Sequence, residues 1–260
     1  MPDELLTSAA CVDKRLAKEL LVASSIGQGK SKGARLVQEY LWINGFKPTI
    51  DGDWGDGTQA ALDAFCDAKR LSRTSSVDQS LMDRMAQPLL RAAKPVAPAA
   101  SLGATVVSCA LQQLAEHPIE IGGANAGPWV RFYMDGNEGK DWLWCAGFAT
   151  RIVLSCAKIL GQSTAIKRTY SCDVLAMSAK AAGTFRKGSA MGAIPPGSLF
   201  LVPSSKSSSD WIHTGIVLEQ SGTVVRTAEG NTNSGGSSNG FEATQRIRNA
   251  TKLDFVLLQP

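Results

Sequence analysis

The segment Ala92-Ala93-Lys94-Pro95-Val96-Ala97-Pro98-Ala99-Ala100 constrains the fold of this chain more than any other stretch. Its prolines fix φ and remove backbone donors, and its residues show neither helical nor strand periodicity. It therefore reads as a semi-rigid linker, at 92–103, between lobes at 1–91 and 104–260. The patterns on its two sides differ. Before it, apolar residues recur at helical spacing; after it, helical stretches come first and strand-like runs later, the order of an α+β fold. With 260 residues there is enough chain for two cores.

In the first lobe, Leu36, Tyr40, Leu41 and Ile43 form a helical face that stops at Asn44-Gly45, a C-cap signal. Asp51-Gly52-Asp53-Trp54-Gly55-Asp56-Gly57 is rich in turn residues, and Thr58 is placed to cap a helix carrying Ala61, Leu62, Phe65 and Cys66. Residues 1–30 predict one more helix with Leu16, Leu20 and Leu21 on its buried side. Asp51 and Trp54 admit two uses: contact with a ligand, or turn-building and core filling.

In the second lobe, Val106, Val107, Ala110, Leu111 and Leu114 predict a helix ending near His117-Pro118, and Trp129 to Tyr133 a short one after a glycine-rich loop. Ser198 to Pro203 reads as a strand entered through Pro195-Pro196-Gly197. Gly215 to Glu219 and Thr223 to Thr227 read as a hairpin, and Lys252 to Leu258 as the closing strand.

The chemistry narrows quickly because the chain has only two histidines, His117 and His213. Cys145 opens a stripe continued by Phe148, Ile152, Cys156 and Leu160, which makes 145–160 a buried helix with the thiol in its first turn. Free N–H groups and the positive end of the helix dipole favour a thiolate there and can receive an oxyanion. His213 lies in a strand-like run beside Gly215, whose missing side chain leaves room for a substrate. His117 adjoins Pro118 and reads as a surface or helix-end residue. Glu229 is positioned to hold the second ring nitrogen of His213, and Asn231, two residues on, shares its side of a strand and is a second candidate orienter. Cysteine, imidazole and carboxylate are the parts of a nucleophilic amide-cleaving site.

Other classes recede. The six cysteines show no CxxC and no Cys/His cluster of zinc spacing, so neither a metal nor a cofactor is expected. A Cys156–Cys172 disulfide stays open as an alternative. Residues 1–93 carry twelve basic and twelve acidic side chains, and residues 94–260 fifteen and eleven, so the net +4 resides in the second lobe. That mild excess suits an anionic polymer, while arginine-rich and basic-aromatic tracts are missing, which disfavours nucleic acid. No apolar run reaches the roughly 18 residues of a membrane span. Met1-Pro2-Asp3-Glu4-Leu5-Leu6 lacks the pattern of a Sec signal, so synthesis in the cytoplasm with delivery by other means is expected.

Two resemblances give these residues a context. VQxxLxxxG, DGxWG, Thr58 and AxxAF, over about Ser31 to Leu90, resemble the peptidoglycan-binding domain 1 family, with Trp54 where that family usually has Phe. This implies a small helical wall-binding module with Asp51 and Trp54 as contacts. Asn125-Ala126-Gly127-Pro128-Trp129-Val130, Trp144-Cys145-Ala146-Gly147-Phe148, Pro196-Gly197, His213-Thr214-Gly215-Ile216-Val217 and Glu229-Gly230-Asn231-Thr232-Asn233 resemble, in order, the CHAP amidase/endopeptidase family of the papain-like NlpC/P60 group. Gly240-Phe241-Glu242 and Arg246-Ile247-Arg248 also fit.

The second resemblance implies a papain-like α+β domain over about 104–260, with Cys145 as nucleophile, His213 as base, and Glu229 with Asn231 as orienting pair. Trp144, Asn125, Trp129 and Gly215 would line the substrate. Some members carry a calcium loop, and Asp135, Asn137, Glu138 and Asp141 resemble one superficially, but Gly147 stands where a further ligand is expected; Gly197-Ser198 also departs from the usual Gly-Asp. The implied activity is cleavage of a peptidoglycan stem peptide or cross-bridge. The alternatives are an N-acetylmuramoyl-L-alanine amidase, an acyl transferase using the same thioester, and a non-catalytic wall-binding protein. A phage endolysin released by a holin or a delivered antibacterial effector with an immunity protein would each suit such a chain, acting as a monomer.

Overall fold

The structure, a computed structural model, describes residues 5–188, 192–207, 209–235 and 239–259. The first lobe is built from α1 (Lys14–Glu19), α2 (Lys32–Ile43), α3 (Asp56–Ala68), α4 (Gln79–Met85) and α5 (Gln87–Ala93). Side chains of Asp13, Ser31 and Asp78 cap α1, α2 and α4 by accepting the first free N–H groups. Asn44 closes α2, and Gly45 follows in a positive-φ conformation that costs glycine nothing. Two short ribbons brace these helices: β1 (Ile26–Gly27) with β4 (Ser76–Val77), and β2 (Gly29–Lys30) with β3 (Asp53–Trp54).

Two expectations shift here. The third helix starts at Asp56 with Gly55 as its cap, so Thr58 lies inside the first turn. Its hydroxyl is buried and accepts a hydrogen bond from Gln38. Leu16 and Leu20 are buried, but Leu21 falls beyond the end of α1 and is 67% exposed.

The second lobe sets α6 (Leu102–Leu114), α7 (Pro128–Tyr133), α8 (Cys145–Leu160) and α9 (Cys172–Ala181) before β5 (Phe185–Lys187), β6 (Leu199–Pro203), β7 (Trp211–Ser221), β8 (Val224–Thr232), β9 (Glu242–Asn249) and β10 (Asp254–Val256). The six strands form one antiparallel sheet in the order β5-β10-β6-β7-β8-β9. The protein is therefore mixed α+β. Helices α6, α8 and α9 pack on the sheet, and a smaller cluster of Phe200, Val217, Val225, Leu253 and Phe255 fills another side. Among the described residues no helix is long and apolar enough to cross a membrane.

The irregular connection runs over 94–101 and is fastened rather than free. Gln112 donates to the Lys94 carbonyl at 2.8 Å, and the Ala99 N–H donates to Thr105. The two lobes share one apolar cluster, which includes Leu16, Leu89, Val106, Trp129 and Ile152. Their polar contact centres on Arg131, which pairs with Glu19 and Glu39 of the first lobe and Glu138 of the second. Arg151 of α8 pairs with Asp13, the cap of α1.

Candidate active site

Cys145 is the first residue of α8, as its apolar stripe requires: Phe148, Ile152 and Cys156 are all fully buried behind it. The N-cap, Trp144, offers no side-chain hydrogen bond, so the opening N–H groups of α8 are not consumed by a capping side chain. The cysteine is 4% exposed, and its sulfur lies 3.9 Å from that of Cys172, the first residue of α9.

His213 reaches this sulfur from β7. Its Nε2 is 2.9 Å from Oε2 of Glu229, while Nδ1 makes no regular hydrogen bond of its own and is left for the thiol. Glu229, on β8, is held from three sides. Arg248 on β9 donates through Nε and Nη2 to the two carboxylate oxygens, each at 2.6 Å, and Thr227 donates to Oε1 at 2.5 Å. A bidentate guanidinium fixes the plane of the carboxylate as well as its charge.

The charges follow from these contacts. Hydrogen bonding from Cys172 holds the Cys145 thiol well below the usual range against the opposing effect of burial; the imidazole and the Thr214 backbone N–H act in the same direction. Burial alone would lower His213, but Cys145 and Glu229 together raise it to about 9. Burial would raise Glu229, yet Arg248 and His213 bring it down to about 2. The favoured state is a thiolate beside an imidazolium, backed by a carboxylate: a nucleophile already deprotonated, with an acid beside it.

The other residues expected to touch a substrate have structural work instead. Trp144 and Trp129 stack on the two sides of Tyr133, with ring centroids 5.5 and 6.3 Å apart, and both are buried. The Trp144 indole N–H is spent on Glu120. Asn125 is buried in a left-handed turn and donates to the Lys140 carbonyl. At Gly215 there is no spare room: a Cβ would meet the Ala228 carbonyl at 2.6 Å, Phe200 at 2.8 Å and Glu229 at 3.0 Å. Glycine is required there because the Ala228 carbonyl and the Phe200 ring, with Glu229 behind them, fill the space.

Asn231 also differs from its expected part. A positive φ and a register shift between Glu229 and Thr232 break the alternation that would align it with Glu229. Its amide is fully buried, and among the described residues neither of its polar atoms has a partner, His213 included. In the first lobe, Trp54 is 2% exposed and bonded to Gln59, and Asp51 accepts from Gln38 and the Asp53 N–H. Trp54 is thus core rather than a surface contact, whereas Asp51 is exposed while it braces the turn. His117 is exposed just beyond α6, as expected.

Asp135 and Glu138 are occupied by cations of the chain. Asp135 takes Arg168, Arg151 and Arg15, and Glu138 takes Arg131. Arg168 donates to the Tyr133 and Gly147 carbonyls and to Thr150, tying α8 to the end of α7. Gly147 is a glycine because the Tyr133 carbonyl would lie 2.7 Å from any Cβ. Cys156 lies against Cys109 and donates to the Thr105 carbonyl, so the thiol next to Cys172 is Cys145, not Cys156.

Three features of the site were not assigned roles from sequence: Arg248, Thr227 and Cys172. Arg248 lay inside the motif Arg246-Ile247-Arg248 but carried no role. No protein-family model matches the chain, and comparison with curated proteins and with solved structures found no match.

Proposed function

We propose that this chain is a cysteine hydrolase that cleaves amide bonds in peptidoglycan, through Cys145, His213 and Glu229. The observation that carries the reading is the buried imidazole between a thiol and a carboxylate clamped by Arg248. A helix that presents the nucleophile to a strand of an antiparallel sheet bearing the imidazole supports the papain-like architecture implied by the ordered motifs. The substrate class rests on those motifs and on the mild basicity of the second lobe.

In the proposed reaction the Cys145 thiolate attacks an amide carbonyl. The opening N–H groups of α8 are the donors for the oxyanion that develops, while the Thr214 N–H stabilises the sulfur as a thiolate. His213 gives its proton to the departing amine, leaving a thioester on Cys145. The neutral imidazole then takes a proton from water, which attacks the thioester and frees the sulfur. Glu229 stays ionised throughout and keeps Nδ1 directed at the sulfur. Cys145 is 4% exposed, so an incoming amide meets only a small part of its surface.

Purified sacculi digested with the wild-type protein, Cys145→Ala and His213→Ala test this reading. Soluble fragments are expected from the wild type alone, and mass spectrometry of their ends identifies the bond. New amino groups within stem peptides or cross-bridges mark an endopeptidase; free muramic acid carboxyls mark an amidase. Equal release by Cys145→Ala overturns the proposal, and sedimentation on sacculi without release by any form points to a binding protein.

A further inference from the structure

Cys145 and Cys172 stand at the first positions of two different helices, and their sulfurs face one another at 3.9 Å in the reduced state. Disulfide bonds are about 2.05 Å long, so side-chain rotation with a small helix shift would join them. They come from segments 27 residues apart in sequence, and no other sulfur contacts Cys145 among the described residues. The nucleophile therefore has a second thiol within reach of anything formed on its sulfur.

We propose that the Cys145–Cys172 pair is a modification site at which a hydroperoxide drives a reversible disulfide that withdraws the nucleophile. The proposal rests on the reading of Cys145 as a reactive thiolate. Its sulfur attacks the terminal oxygen of the peroxide, the O–O bond breaks, and the leaving oxygen departs as water or alcohol after protonation. Cys145 is then a sulfenic acid. The Cys172 thiol attacks that sulfur, loses its proton, and displaces the hydroxyl as a second water. Two thiols are oxidised by two electrons and one peroxide is reduced. A small-molecule thiol reverses the bond by exchange.

The geometry also explains why this pair reacts ahead of Cys109 and Cys156. Only Cys145 has an imidazole against it, since the other histidine, His117, is exposed beyond α6. Cys109 and Cys156 also lie against one another, but with Cys156 donating to the Thr105 carbonyl and Cys109 accepting from Gln113, and with no imidazole beside either. Cys172 protects as well as inactivates, because an unresolved sulfenic acid proceeds irreversibly to the sulfinic acid.

The full-length reduced protein is treated with one equivalent of hydrogen peroxide, alkylated, cut with trypsin and examined by mass spectrometry. The expected product links the peptides 141–151 and 169–180, disappears on reduction, and accompanies a loss of wall digestion that reduction restores. In Cys172→Ser one equivalent should leave Cys145 as an unresolved sulfenic acid with no linked peptide, and a second equivalent should carry it to the sulfinic acid, with no recovery. Cys145 carrying sulfinic acid in the wild type, Cys145 still free for alkylation, or a Cys109–Cys156 link formed first would each overturn the proposal. Linkage is read without any assay of hydrolysis. A linked pair in a protein whose reduced form digests no wall would therefore fail the functional reading alone.

Discussion

The imidazole Nε2 of His213 and the carboxylate Oε2 of Glu229 are 2.9 Å apart, and both side chains are wholly excluded from solvent. That contact decides which ring nitrogen remains for chemistry. With Nε2 engaged, Nδ1 is left to exchange a proton with the Cys145 sulfur. Glu229→Gln keeps the shape but removes the charge that supports the imidazolium. A fall in kcat/KM of about 10²–10⁴-fold is expected, the usual worth of a positioned acid–base group. Release of wall fragments measures it, and a variant retaining wild-type kcat/KM would remove Glu229 from the mechanism.

The pH dependence has a definite sign. The folded-state value of His213 is raised to about 9 from 6.5, so its charge stabilises the fold fully below 6.5, and that contribution is lost as pH rises through about 9. Glu229 is depressed to about 2 from 4.5; its contribution is present above 4.5 and is lost as pH falls through about 2. The alkaline limb of kcat/KM should fall near pH 9, where the imidazolium loses its proton. An alkaline limb near 6.5 would mean that no thiolate–imidazolium pair forms.

Arg248 is the main cation holding Glu229 ionised in the interior, and its side chain is also close over the Phe200 ring. Arg248→Met keeps apolar bulk there and leaves the carboxylate with His213 and Thr227 alone. Removing one member of a buried pair costs roughly 3–5 kcal/mol, read at neutral pH from urea unfolding. The gap from wild type should narrow as pH falls toward 2, because the wild-type advantage of a depressed Glu229 disappears there. A gap that widens in acid would assign the loss to packing.

How far such a site can be read from sequence depends on which force places each residue. Cys145 was legible because burial of one helical stripe fixes both the helix and the thiol at its start. His213 and Glu229 were legible because chemistry-bearing residues are scarce around them. Arg248 was not, since the strand Glu242–Asn249 is polar on both faces and its Ile247 is 74% exposed, which erases the period-two signal. Asn231 was misaligned because a single left-handed residue resets the alternation. The aromatic residues Trp129 and Trp144 carry no mark in sequence that separates stacking on Tyr133 from stacking on a sugar. Cys172 comes to Cys145 only through the packing of two helices on one sheet.

Trp54 gives a test of the first lobe. It is core, so Trp54→Ala should cost about 3–5 kcal/mol, whereas Trp54→Phe keeps most of the buried apolar surface. If this lobe contributes to retention on sacculi, the Phe variant should sediment like the wild type. Loss of sedimentation by a fully folded Phe variant would show that the indole itself touches the wall.

Arg131 joins the lobes. Its guanidinium is 2.9 Å from Glu19, 2.7 Å from Glu39 and 2.9 Å from Glu138, and Glu39 is only 2% exposed. In Arg131→Met, Glu39 keeps Arg35 at 3.0 Å, while Glu19 and Glu138 lose the cation that tied them together across the boundary. Because burial already pushes Glu39 up against the pull of Arg131, the variant should shed roughly 3–5 kcal/mol at neutral pH. The shared apolar cluster would then be the main remaining connection between the lobes. Urea unfolding followed by tryptophan fluorescence and by far-ultraviolet circular dichroism should change from one coincident transition to two. A single transition displaced by less than about 1 kcal/mol, the worth of a surface ion pair, would show that apolar packing alone couples the lobes.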